Sequence, residues 1–123
     1  MKKILIVDDQ ADVRTLIKTI LEDEGYEASA ARNGIEGINK LKEEKFDLVL
    51  IDMFMPKMSG REMCEIMSKN PKIKTACAFL TVAQFSDLGK EELKRLGCMD
   101  YIQKPIDNED FVNRIKKLLK EQV

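Results

Sequence analysis

Asp8 and Asp9, Asp52, Thr81 and Lys104 each stand at the end of a short apolar run. Ile4-Leu5-Ile6-Val7 stops at Asp8-Asp9, and Leu48-Val49-Leu50-Ile51 stops at Asp52. Ala76-Cys77-Ala78-Phe79-Leu80 stops at Thr81, and Tyr101-Ile102-Gln103 leads into Lys104-Pro105. Ligands of an open parallel sheet bind in the crevice outside the carboxyl ends of its strands. Neighbouring parallel strands would therefore bring three carboxylates, one hydroxyl and one ammonium together.

Three carboxylates crowded at one sheet end repel, which raises a pKa or costs stability. A hard divalent cation relieves this, and magnesium favours one or two carboxylates together with water and phosphate oxygens. Asp52 then has a second role open to it, because a carboxylate can attack phosphorus and form an acyl phosphate. Phosphoryl transfer asks mainly for in-line positioning and charge neutralisation. The Lys104 ammonium and the Thr81 hydroxyl can supply the latter to separate phosphoryl oxygens. Taken singly, each residue has a structural explanation: a turn or cap for Asp8-Asp9, a strand-end hydroxyl for Thr81. Their joint order favours the site.

The elements that would hold these residues alternate along the chain as strand and helix, the pattern of a parallel α/β sheet. Val13, Leu16, Ile17, Ile20 and Leu21 recur on one helical face, with Gly25 as the stop. A weaker strand over about Tyr26 to Ala31 precedes a helix carrying Ile35, Ile38 and Leu41. Asp47 to Ile51 is the third strand. Ser59-Gly60-Arg61-Glu62 has capping-box spacing and opens a helix with Met63, Ile66 and Met67 facing inward. A strand over about Thr75 to Leu80 leads to the weakest helix, with Leu88, Leu93 and Leu96 on its apolar side and Gly89 near its start. After the fifth strand, Asp107 caps a helix with Phe111, Ile115, Leu118 and Leu119 inward. The first, third and fourth strands are continuously apolar and should be central. Right-handed crossovers then give a flavodoxin-like, doubly wound five-stranded sheet of order 2-1-3-4-5 with five helices.

Composition narrows the function. The 123 residues fit one domain, 1–123, and a net charge of −1 with interspersed signs gives no reason to bind nucleic acid. No apolar run approaches the roughly 20 residues of a membrane span. Asp8-Asp9 interrupts the only segment resembling a signal peptide, so the expected location is cytoplasmic. The absence of histidine excludes a histidine phosphocarrier and a Ser-His-Asp hydrolase and argues against zinc. Cys64, Cys77 and Cys98 lack metal or redox spacing, and Cys77 reads as a small core hydrophobe. Arg114, Lys116, Lys117 and Lys120 read as a solvated face at a helix C-terminus. Five of the seven methionines lie between Met53 and Met67, as flexible packing or as an adaptable partner surface.

Ile4-Leu5-Ile6-Val7-Asp8-Asp9, Asp52-Met53-Phe54-Met55-Pro56, Thr81 and Tyr101-Ile102-Gln103-Lys104-Pro105 stand in the order and spacing of known motifs. By these the whole chain resembles the receiver domain of two-component response regulators. The resemblance implies magnesium held by Asp8, Asp9 and the Phe54 carbonyl, next to the Asp52 carboxylate. It also implies phosphorylation of Asp52 by a sensor histidine kinase or phosphotransfer protein. Lys104 and Thr81 would contact the phosphoryl group, across a cis Lys104-Pro105 bond. Thr81 and Tyr101 would form the switch, Tyr101 otherwise being a half-buried edge aromatic.

Two residues depart from the family. Val82 stands where Ala or Gly is usual and should narrow phosphoryl access, while Phe54 is bulky and apolar where polar residues are frequent. No effector domain follows the last helix, so output is expected through a separate target protein, as a monomer or a phosphorylation-dependent dimer. The outlet is expected on the face of the fourth helix, fifth strand and fifth helix, with Lys90, Lys94, Asp100 and Arg114 supplying contacts and Phe111 near the rim. A switch rather than an enzyme is the reading. The alternatives are a small magnesium-dependent phosphatase or phosphotransferase with an aspartyl nucleophile, which normally needs a cap domain, and a nucleotide or flavin carrier, which needs a phosphate cradle.

Overall fold

Alternate residues of a strand point to opposite faces, and in this chain both sets are apolar, so the sheet must be covered on each side. The computed structural model describes residues 1–82 and 87–120, with the side chains of residues 87, 88, 90 and 93 left aside. Strands β1 (Lys3–Val7), β2 (Glu27–Ala31), β3 (Leu48–Asp52), β4 (Ala76–Thr81) and β5 (Cys98–Gln103) alternate with helices. These are α1 (Ala11–Asp23), α2 (Gly34–Glu43), α3 (Gly60–Lys69), α4 (Asp87–Arg95) and α5 (Asn108–Leu118). The sheet is parallel and ordered β2-β1-β3-β4-β5, as the sequence predicts.

One face packs Ile4, Ile6, Leu48, Leu50, Ala78 and Leu80 under α1 and α5. The other packs Leu5, Val7, Val49, Ile51, Cys77 and Phe79 under α2 and α3, with Leu96 beside them. Met53, Met55, Met63 and Met67 are buried and Met58 packs against them, so the methionine-rich stretch is core and not a partner surface. Among the described residues, no helix is long and apolar enough to cross a membrane.

Three residues expected on buried helix faces are exposed instead: Leu16 at 48%, Ile35 at 58% and Ile66 at 39%. Each lies at the margin of its apolar stripe, and Ile17, Ile38 and Met67 take the inward positions. Phe111 faces inward as its helix position predicts, and only its expected place near the rim is corrected. It is wholly buried and anchors α5 on the sheet, so it is no part of an exposed rim. Leu88, Leu93 and Lys90 lie outside the described side chains.

The helix starts follow local chemistry. Ser59 and Glu62 form the expected reciprocal box at α3, and Asp107 accepts from the Glu109 and Asp110 amides at α5. Asn33, which the sequence reading passed over, caps α2 by accepting from the Glu36 amide. Gly25 turns the chain out of α1 at φ +88°, a conformation that favours glycine. Gly60 answers to space. A Cβ there would lie 2.6 Å from the Asp52 carbonyl oxygen and 2.9 Å from Met53 Cα, both backbone atoms.

These two glycines make a testable pair. Gly25→Ala meets open space and should cost about 1–2 kcal/mol through its left-handed backbone alone. Gly60→Ala must move α3 away from the end of β3, costing about 1–3 kcal/mol by overpacking and disturbing the Asp52 environment. Urea titration gives both costs, and the backbone amide NMR shifts of Met53 and Phe54 should move only in Gly60→Ala.

Candidate functional site

Register brings the predicted residues together. Val7 pairs with Ile51, so the next residues, Asp8 and Asp52, lie side by side at the ends of β1 and β3. Asp52 pairs with Leu80, one residue before Thr81, and Thr81 pairs with Gln103, one before Lys104. The Lys104 amide donates to the Thr81 carbonyl at 2.7 Å, tying the lysine loop to the end of β4. The Lys104-Pro105 peptide is cis, as the resemblance implied.

Asp8 is fully buried, Asp52 nearly so, and Asp9 is exposed. One carboxylate oxygen from each of the three lies within 4.8 Å of the others. Asp8 Oδ1 accepts from the Gln10 amide at 2.9 Å, and Asp8 Oδ2 from Lys104 Nζ at 2.8 Å. Asp52 Oδ1 accepts from the Phe54 amide at 3.2 Å and lies 3.7 Å from Lys104 Nζ. Thr81 is fully buried.

The ammonium therefore rests mainly on Asp8. That resting partner was invisible in the sequence, which pointed Lys104 only at an incoming phosphoryl group. Arg14 was missed as well: its guanidinium donates to the Asp8 carbonyl at 2.8 Å and fixes the turn that carries both acids. Its place six residues after Asp8, in the first turns of a helix, carries no signal distinguishable from a surface arginine.

Electrostatics single out Asp52. Burial, then the Asp8 charge, push its carboxyl up from 3.8 to about 7, against the pull of Lys104 and the Phe54 amide; a hydrogen bond with Asp9 adds to the rise. The charged form lacks enough positive partners, since one ammonium serves two buried acids. This donor set of hard oxygens around excess negative charge suits magnesium. Phe54 and Val82, at 60% and 69% exposed, stand two and one residues past Asp52 and Thr81 respectively.

The family model described as response regulator receiver domain matches residues 4–116. The chain belongs to that family. This receiver domain is 36% identical to the chemotaxis protein CheY of Listeria monocytogenes over 98% of this chain and 100% of that one. It is 34% identical to sporulation initiation phosphotransferase F of Bacillus subtilis, over 96% of this chain and 94% of that one. Other relatives are longer. The receiver domain spans about half the length of the Haemophilus influenzae CpxR homolog, a transcriptional regulatory protein, at 33% identity over 98% of this chain and 51% of that one. Among solved structures, chemotaxis protein CheY4 of Vibrio cholerae superposes with a TM-score of 0.89 at 30% identity, over 96% of this chain and 98% of that one. The Thermotoga maritima response regulator TrrA, solved with Mg2+-BeF, gives 0.81 at 33% identity, over 96% and 99%.

The raised Asp52 pKa has a measurable consequence. In the unfolded chain the carboxyl loses its proton near 3.8, but in the fold only near 7. Folding therefore becomes less favourable as pH climbs through that interval, and the full penalty stands above about 7. Water at the mouth of the pocket, beside exposed Asp9, limits it to about 1–3 kcal/mol. Without divalent cations, Asp52→Asn should melt above the wild type at pH 8, and the gap should close as pH falls toward 4. Thermal melts across that range check it.

Proposed function

We propose that the domain is a phosphoacceptor switch in which Asp52 takes a phosphoryl group from a phosphohistidine of a sensor kinase or phosphotransfer protein. One observation carries the reading. Asp52 ends β3 with its carboxylate in reach of two further acids and of the Lys104 ammonium, the only salt-bridging cation at this pocket among the described residues. The complex of TrrA with Mg2+-BeF supports the same assignment.

Asp8, Asp9 and Asp52, with the Phe54 backbone carbonyl, would hold magnesium, which when bound neutralises carboxylate and phosphoryl charge. The remaining work falls to the chain's own groups. An Asp52 oxygen attacks phosphorus in line, the P–N bond breaks, and its electron pair returns to the imidazole of the donor. Lys104, 2.8 Å from Asp8 and 3.7 Å from Asp52, needs only a small shift to meet a phosphoryl oxygen. The Thr81 hydroxyl donates to another.

The switch couples this to the far face. Thr81 ends β4, and Tyr101 pairs with Phe79 two residues earlier while packing half-buried against the α2 and α3 side of the core. Movement of Thr81 toward the phosphoryl group opens room that Tyr101 can enter. The α4–β5–α5 face would then carry the signal to a target protein. Asp100 and Arg114 on that face are already paired at 3.2 Å, with Asp110 also on Arg114 at 2.9 Å. A dimer through them would have to exchange these internal pairs.

Incubation with magnesium and a small phosphoramidate donor, followed by intact mass, tests the reading. One phosphoryl group should add to the wild type, none without magnesium, and none to Asp52→Asn. Phosphorylation of Asp52→Asn at wild-type yield overturns the assignment, and repeated turnover of small phosphate esters would mark a phosphatase instead.

Val82 sets the rate in the same assay. Its two methyl groups hold few rotamers beside the Thr81 ligand, so Val82→Ala should accept phosphate from small donors severalfold faster at fixed magnesium. Equal rates would show that access is not limited there.

A further inference from the structure

Cys64, Cys77 and Cys98 are separated in sequence, yet they gather in one buried cluster beneath the α4–β5 turn. Cys64 comes from α3, Cys77 from the second position of β4, and Cys98 from the start of β5. The Cys64 and Cys77 sulfurs are 3.3 Å apart. Each also reaches the turn above: Cys64 donates to the Leu96 carbonyl at 3.4 Å and Cys77 to the Gly97 carbonyl at 3.7 Å. Cys98 donates to the Asp100 carbonyl at 2.9 Å and also lies within hydrogen-bonding reach of Cys77. None of these thiols has a part in phosphoryl chemistry.

We infer that Cys64 and Cys77 form a site of reversible oxidation, closing to an intramolecular disulfide when the protein meets a hydroperoxide. The sulfurs need about 1.2 Å of combined movement to reach bonding distance. The turn between α4 and β5 runs against them, with Leu96 half-buried and Gly97 exposed. A displacement of that turn would release both hydrogen bonds at once and loosen one side of the pair's surroundings. Cys64 is the attacking group: once it has lost its proton, the adjacent Cys77 thiol can turn from the Gly97 carbonyl to donate to it, which holds the Cys64 pKa below the ordinary 9.0, and the thiolate is the nucleophilic form.

The chemistry balances in two steps. The Cys64 thiolate attacks the distal peroxide oxygen and the O–O bond breaks. Sulfenic acid forms, and the departing alkoxide leaves as alcohol with the proton Cys64 gave up. The Cys77 sulfur then attacks the sulfenyl sulfur, the S–S bond forms as the S–O bond breaks, and the hydroxide departs as water with the Cys77 proton. Two thiols and one hydroperoxide give one disulfide, one alcohol and one water; the sulfurs lose the two electrons that the peroxide gains. The new bond would join α3, whose first turn abuts the Asp52 backbone, to the strand that ends in Thr81.

The test treats the folded protein with hydrogen peroxide, then counts free thiols by alkylation in denaturant and maps the linked peptides. The expected result is one free thiol, Cys98, a Cys64–Cys77 cross-link, and recovery of three thiols with dithiothreitol. Cys98→Ser should form the same cross-link. Three thiols surviving while methionines gain oxygen would overturn the inference. So would a cross-link through Cys98, a disulfide between two molecules, or Cys64 oxidised to a sulfur acid without a bond to Cys77.

Discussion

One ammonium serves two buried carboxylates, and the rest of the pocket is arranged around that shortfall. Lys104 lies 2.8 Å from Asp8 and 3.7 Å from Asp52, so Asp8 is held as a close ion pair while Asp52 is left short of compensation. Two amides help, Gln10 on Asp8 and Phe54 on Asp52. They cannot cancel the repulsion, and the Asp52 carboxyl rises to about 7. A fold optimised only for stability would place an apolar residue or a second cation at the end of β3. Keeping Asp52 leaves a site that gains stability from any incoming positive charge and a carboxylate that is poorly solvated by its own protein.

This arrangement needs the sheet to be rigid where the acids meet. Both faces of β1, β3 and β4 are covered, and their register fixes Asp8 beside Asp52 without slack. Gly60 brings α3 against the backbone of Asp52 and Met53 more closely than a Cβ would permit, and its amide donates to the Met53 carbonyl at 3.0 Å. The loop between them turns through Lys57 at φ +71°, a region few side chains favour. Precision at Asp52 thus comes from a glycine approach on one side and continuous strand packing on the other.

Much of this was legible because burial on both faces writes itself as unbroken apolar runs, and a carboxylate ending such a run has few ordinary explanations. Strand order followed from which runs were continuous. Helix faces were less legible: Leu16, Ile35 and Ile66 sit where helical periodicity permits burial, but the neighbouring helices do not extend over them. The inward place of Phe111 was legible from helical periodicity, but its distance from the rim was not, because sequence cannot show how closely α5 approaches the sheet. The site's residue types were legible, whereas the Lys104–Asp8 pairing and the Arg14 brace depend on side-chain conformations. The thiol cluster was hidden for a related reason. Cys64, Cys77 and Cys98 are brought together by crossovers between separate elements, and their spacing matches no local motif.

The two faces of the sheet differ in how readily they can repack. The face under α1 and α5 is packed by fully buried Phe111 and Ile115 against Leu80 and Ile102, and a tight core of this kind resists local change. The opposite face carries Met53, Met55, Met63 and Met67, unbranched side chains that refill altered space at small cost. Tyr101 packs against that second core, while the Lys104 amide holds the Thr81 carbonyl at 2.7 Å. A phosphoryl group on Asp52, as proposed, would draw on Lys104 and Thr81 together, because their backbones share that hydrogen bond. On the proposed switch reading, the change would pass along β4 and β5 toward the methionine-lined side, where side chains can repack, and away from the side anchored by Phe111.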